Sequence, residues 1–188
     1  MPKFPDFQKL WDNYPTGTSD EAKKLIGGAV NAAWITNTCA IRLSRCFNKE
    51  GTLKLPVSYT FANVKHPPKL NTVKGGDGMR YAYRVAEMLK FLQEKLGKPQ
   101  LRILKKRGDP MPEAFKGKKG IIVFNDCGWS DATGHVDLWN GEACVGKAYW
   151  SEAKEVYLWT PNATWRVAPA AAGQVSQGGT PVVTVARG

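Results

Sequence analysis

Histidine is nearly missing from this chain: 188 residues contain two, His66 and His135. Imidazole is the side chain best suited to moving protons near neutral pH, so any such chemistry rests on one of two positions. Cysteine is sparse as well. Cys39, Cys46, Cys127 and Cys144 are too few to staple a small fold, and their spacing matches no zinc site. No apolar run approaches the ~20 residues that a membrane-spanning helix requires. The opening residues Met1-Pro2-Lys3-Phe4-Pro5-Asp6 lack the apolar stretch of a signal peptide, which reads as a protein made in the cytoplasm that does not leave by the general secretory route. Acidic residues are outnumbered, 16 Asp plus Glu against 27 Lys plus Arg, giving a net charge of +11 and a pI near 9.6. That excess favours encounter with polyanions such as nucleic acid, acidic lipid or an anionic cell-wall polymer. The bases are scattered, with short clusters only at Lys105-Lys106-Arg107 and from Lys116 to Lys119, which reads first as a soluble basic surface.

Apolar residues make up 43% of the chain, enough for a single core in one domain. Residues 20–33 read as a helix with Ser19 as N-cap, weakened in the middle by Gly27-Gly28; the glycine pair points to close packing. A second helix opens near Asn37-Thr38 and carries Cys39, Ile41, Leu43 and Cys46, with Cys46 as a small buried residue. Residues 56–79, rich in Pro and Gly, read as a long irregular loop. Their Gly75-Gly76-Asp77-Gly78 stretch lacks the strand–helix frame of a phosphate-binding loop, and neither a cofactor nor a metal is expected. Residues 80–96 carry Tyr81, Val85, Met88, Leu89, Leu92 and Leu96 at helical spacing, stopped by Gly97 and Pro99. Strand-sized apolar runs follow at 101–104, 120–124, 135–139 and 156–159. Helices first and strands later predict an α+β fold, N-terminal helices packed on a small antiparallel sheet. Composition changes after Pro161, so residues 1–161 read as the domain and 162–188 as a C-terminal extension, a tail or late edge strand.

Cys39 at a helix start and His135 in the run Gly134-His135-Val136-Asp137-Leu138-Trp139 are the raw material of a cysteine hydrolase. A thiol is mostly protonated at neutral pH. The positive end of a helix dipole and a neighbouring imidazole both favour the thiolate, and helix N–H groups can stabilise an oxyanion. His66, in the Pro-rich His66-Pro67-Pro68 segment, is the weaker base. On a strand, His135 and Asp137 share a face, so Asp137 is the candidate to orient the imidazole; a polar residue on a neighbouring strand is the alternative, with Asp131 and Asp126 behind it. Cys127 and Cys144 flank the His135 strand and are candidates to pair in an oxidising compartment. A buried cysteine and a structural histidine would give the same pattern. The competing reading is therefore a non-catalytic basic module that binds peptidoglycan or nucleic acid, and a third reading is acyl transfer.

Several segments, in order, carry a family resemblance: Ile26-Gly27-Gly28, Asn37-Thr38-Cys39-Ala40-Ile41-Arg42-Leu43-Ser44, the helix from Tyr83-Arg84-Val85 to Gly97-Lys98-Pro99, Gly117-Lys118-Lys119-Gly120-Ile121-Ile122-Val123, Gly128-Trp129-Ser130 and Gly134-His135-Val136-Asp137-Leu138-Trp139-Asn140-Gly141. Across residues 4 to 161 the chain resembles the fourth family of type VI secretion amidase effectors. The resemblance implies a papain-like, NlpC-type fold and a peptidoglycan amidase that cleaves the γ-D-glutamyl–meso-diaminopimelate bond of stem peptides. It implies Cys39 as nucleophile and His135 as base. It also implies delivery by the type VI secretion apparatus into a rival's periplasm and a cognate immunity protein that blocks the cleft, with no nucleic-acid partner. Some relatives place an acidic third residue in a short cysteine-bracketed loop after the histidine strand. Here that stretch reads Cys144-Val145-Gly146-Lys147, with no acid, which adds weight to Asp137.

Overall fold

Runs with helical spacing form helices and short apolar runs bounded by Gly, Asn and Asp form strands in a computed structural model, which describes residues 3–62, 66–161 and the backbone of 182–184. Helix α1 (Phe7–Asp12) is capped by Asp6, whose carboxylate accepts from the Lys9 N–H. Helix α2 (Ser19–Ile26) opens on a capping box, in which Thr18 and Glu21 each accept from the other's backbone N–H. The cap is therefore Thr18, one residue ahead of the expected Ser19, and the helix stops at Ile26 instead of running to 33. The glycine pair ends it. Gly27 has a φ of +73°, and a Cβ on Gly28 would sit 2.6 Å from the Gly75 carbonyl carbon. The backbone there lies against the turn at Gly75 and Gly76, whose Gly76 N–H donates to the Ile26 carbonyl at 3.1 Å. Close packing is indeed the role of the pair, and a 3-10 turn (Gly28–Asn31) follows.

Helix α3 (Cys39–Glu50) starts at Cys39 as expected and ends on Gly51, which is left-handed. The expected loop over 56–79 instead contains β1 (Ser58–Thr60) and β2 (Lys69–Lys74), which join β3 (Arg80–Ala82) in a three-stranded antiparallel sheet. Gly75-Gly76-Asp77-Gly78 is the hairpin turn between β2 and β3; the Gly75 N–H donates to the Met79 carbonyl at 2.9 Å. The Asp77 carboxylate accepts from the Met79 N–H and the Tyr81 hydroxyl. Residues 80–82 are consequently strand, and the helix expected from 80 begins later, as α4 (Val85–Leu96). Its buried Glu87 accepts from the Asn71 N–H at 2.6 Å and from Asn71 Nδ2 at 2.9 Å, which ties α4 to β2.

The remaining strands, β4 (Leu101–Leu104), β5 (Gly120–Asn125), β6 (Gly134–Trp139), β7 (Glu155–Trp159) and β8 (Val182–Thr184), form a second sheet in the order β6-β5-β7-β4-β8. All its pairs are antiparallel except β4 with β8, which run parallel. The α+β expectation holds, but with two sheets, one of them mixed, in place of a single antiparallel one. Of the C-terminal extension, 182–184 form the edge strand β8, while 162–181 and 185–188 lie outside the described residues.

Both faces of the larger sheet are covered. On one, Leu43 and Phe47 of α3 and Met88 and Leu92 of α4 meet Ile121, Val123, Val136 and Leu138. On the other, Ile122, Phe124, Trp139 and Leu158 pack with Phe115 and Trp150. Each such side chain contributes about 1.5–3 kcal/mol on burial. The period-two alternation along β6 sends Val136 and Leu138 to the helix side. It leaves His135 and Asp137 on the opposite face, at the sheet's edge, and α3 packs against this same strand.

Candidate active site

The first turn of α3 and strand β6 meet at a cleft of about 550 Å³ whose walls include Tyr14, Asn37, Cys39, Arg42, Trp129, His135 and Tyr149. Cys39 is buried at its floor. The Asn37 side chain accepts from the Cys39 N–H at 3.0 Å, which sets the start of the helix. One turn on, the Arg42 guanidinium donates to the Gly17 and Thr18 carbonyls at 2.8 Å, to Thr38 Oγ1 at 3.2 Å and to the Pro15 carbonyl. Arg42 thereby clamps the segment before α2 onto the helix that carries the thiol.

His135 sits in an aromatic seat, with the Phe124 ring centroid at 6.4 Å and the Tyr149 centroid at 4.8 Å. Trp129 stands edge-on to Tyr149 at 4.7 Å. His135 Nε2 is 3.1 Å from Asp137 Oδ2, and Cys39 is close enough to help raise the pKa of the ring. Burial pulls the imidazole pKa down, but the bonds to Asp137 and Cys39 and their negative charge outweigh it, and the group is pushed up to about 9. The charged ring is thus the form this site stabilises.

Asp137 is fully buried, which rules out a solvent-facing strand residue. Its Oδ1 accepts from the Leu138 N–H at 2.8 Å and its Oδ2 from the Gly146 N–H at 3.1 Å, besides the contact to His135. Three donors hold the carboxylate, so its burial is compensated. The less favoured acids lie elsewhere: Asp126 pairs with Arg107 at 2.7 Å, and Asp131 is an exposed residue of the cleft rim.

The other thiols differ from Cys39 in their surroundings. Burial pushes Cys46 and Cys144 well above the ordinary thiol range, and Cys127 up to about 11. All four cysteines are free, so the candidate pairing of Cys127 with Cys144 is absent. His66 is exposed and away from the cleft walls. Cys39, His135 and Asp137, singled out from the sequence, are neighbours at this one cleft. Sequence reasoning missed Tyr14, whose buried hydroxyl faces the cleft and has no hydrogen-bond partner among the described residues, and it missed the seat formed by Trp129 and Tyr149. Only the Gly128-Trp129-Ser130 segment hinted at the latter.

The family model for type VI secretion system (T6SS) amidase effector protein 4, Tae4, matches residues 35–159. Among solved structures, Tae4 from Enterobacter cloacae is similar at 33% identity and a TM-score of 0.70, over 85% of this chain and 98% of that one. The same effector in complex with the immunity protein Tai4 matches at 33% identity and a TM-score of 0.69, over 83% and 98% of the two chains. Tae4 from Salmonella typhimurium, bound to Tai4 of E. cloacae, matches at 30% identity and 0.69, with the same coverage. Comparison with curated proteins finds no match. A model match over most of the chain, with whole-domain likeness to these structures, leads to one conclusion: the chain belongs to the Tae4 family of type VI secretion amidase effectors.

Proposed function

We propose that this amidase effector is a cysteine hydrolase of papain-like, NlpC-type fold that cleaves the γ-D-glutamyl–meso-diaminopimelate bond of peptidoglycan stem peptides. The observation that supports this is His135 in contact with the buried Asp137 carboxylate while lining the same cleft as Cys39. His135 takes the thiol proton, and the resulting thiolate is stabilised by the imidazolium and by the positive end of the α3 dipole. The thiolate sulfur attacks the scissile carbonyl carbon, forming a C–S bond and an oxyanion. Collapse of that intermediate breaks the C–N bond, and the imidazolium gives its proton to the departing amine. Water, deprotonated by His135, then attacks the thioester, releases the carboxylic acid and returns the proton to the thiol. Asp137 keeps the ring oriented and stabilises its positive charge throughout.

Delivery by type VI secretion to the periplasm of a target cell accords with membership of the family. A Tai4-like immunity protein is the expected partner, since related effectors are found in complex with Tai4. The deciding experiment is digestion of diaminopimelate-type peptidoglycan, with fragment masses compared for wild type and Cys39→Ala. New fragments carrying one added water, absent with Cys39→Ala, are the expected result. Products carrying an acceptor in place of water indicate acyl transfer. Undiminished cleavage by folded Cys39→Ala removes the mechanism.

A further inference from the structure

We propose that Gly146 is a positioning residue: the lack of a side chain there lets the Asp137 carboxylate occupy the space beside His135, and the Gly146 N–H then holds it in place. The inference rests on the reading of Cys39, His135 and Asp137 as the reacting set. A Cβ at position 146 would lie 2.8 Å from Asp137 Oδ2, 3.7 Å from its Cγ and 3.6 Å from the Tyr14 hydroxyl. The first distance is inside contact, and the atom met is the one that faces His135 Nε2. Gly146 does not adopt a left-handed φ, so alanine is conformationally acceptable there. What the position uses is smallness.

Neither side can step back freely. The carboxylate is held from below by the Leu138 N–H at 2.8 Å. The loop that carries Gly146 returns along β6, with the Val145 N–H on the Leu138 carbonyl at 3.1 Å and Cys144 bridged to Trp139. An added methyl therefore either drives Oδ2 off the imidazole or peels residues 144–146 from the strand, which removes the Gly146 N–H from Oδ2. Both outcomes free the ring that Asp137 orients. Gly146 itself is exposed, so the strain falls on Asp137, Tyr14 and residues 144–146 and on no apolar core residue beyond them.

The test is Gly146→Ala, read by turnover on a soluble stem peptide and by NMR titration of the His135 ring. A misplacement of this kind lowers kcat on the order of 100-fold, with KM little changed, and the His135 midpoint falls from about 9 toward its ordinary 6.5. The titration reports the Asp137–His135 contact whether or not the peptide is cleaved, so a wrong substrate assignment and a wrong role for Gly146 give different results. A double-mutant cycle completes it: in an Asp137→Asn background, Gly146→Ala should cost little more, because the two act through one contact. An unchanged His135 midpoint, or equal fold-losses with and without the Asp137 carboxylate, overturns the proposal, including when Gly146→Ala lowers the melting temperature.

Discussion

Raising the His135 pKa from 6.5 to about 9 makes the protonated ring part of the folded structure. By linkage this contributes roughly 3 kcal/mol. The sign follows from the direction: the stabilisation is complete below pH 6.5, where the unfolded histidine is also charged, and is lost as pH rises through about 9. Stability measured by urea titration should therefore decline across that window in wild type and stay flatter in His135→Ala. The pH–rate profile should lose activity on its alkaline side near the same value, as the imidazolium that holds the thiolate disappears. His135→Ala should cost several orders of magnitude in kcat/KM, and His66→Ala should be nearly silent, since His66 is exposed and is not a lining residue of the cleft; equal losses would show the wrong imidazole had been chosen. All three residues of the proposed reacting set were legible in the sequence, because a helix start, a strand and an i, i+2 spacing are local features. Tyr14 and Gly146 were not. Their placement arises only where distant segments meet, and nothing local marks a tyrosine whose hydroxyl has no partner among the described residues or a glycine set against a buried carboxylate.

At the scale of elements, the glycine pair at 27 and 28 decides how the helical N-terminal layer approaches the smaller sheet. Gly28→Ala places a Cβ 2.6 Å from backbone of the β2–β3 turn and forces a left-handed alanine. Backbone cannot yield as a flexible side chain can, so a loss of about 2–3 kcal/mol is expected, measured as a lowered urea midpoint with an unchanged slope. An unaltered midpoint would mean the two segments separate without cost. The sequence reading of 20–33 as one helix and 80–96 as another failed for related reasons. In both, apolar spacing continued past the true boundary while a tertiary partner, the β2–β3 hairpin, imposed a different backbone. The strands within 56–79 were hidden by the prolines and glycines that flank them. The larger sheet was legible because β5 and β7 are nearly continuous apolar runs and β6 alternates polar with apolar residues.

For the whole molecule, the net charge of +11 should assist encounter with an anionic polymer. Raising salt from about 0.05 to 0.5 M shortens the Debye length from roughly 14 to 4 Å. It should lower kcat/KM on intact peptidoglycan several-fold while leaving kcat unchanged; a salt-independent kcat/KM would show that the charge has no part in substrate encounter. The same global view changes how the cleft is understood. His135 and Asp137 ride on one strand, β6, and Cys39 rides on one helix, α3, so the proposed reacting set is divided between two elements. His135 and Asp137 cannot drift apart without bending a strand, and under the proposed mechanism competence reduces to a single coordinate, the gap between the first turn of α3 and the edge of β6. Anything that wedges that gap open switches off the chemistry without touching a reacting atom.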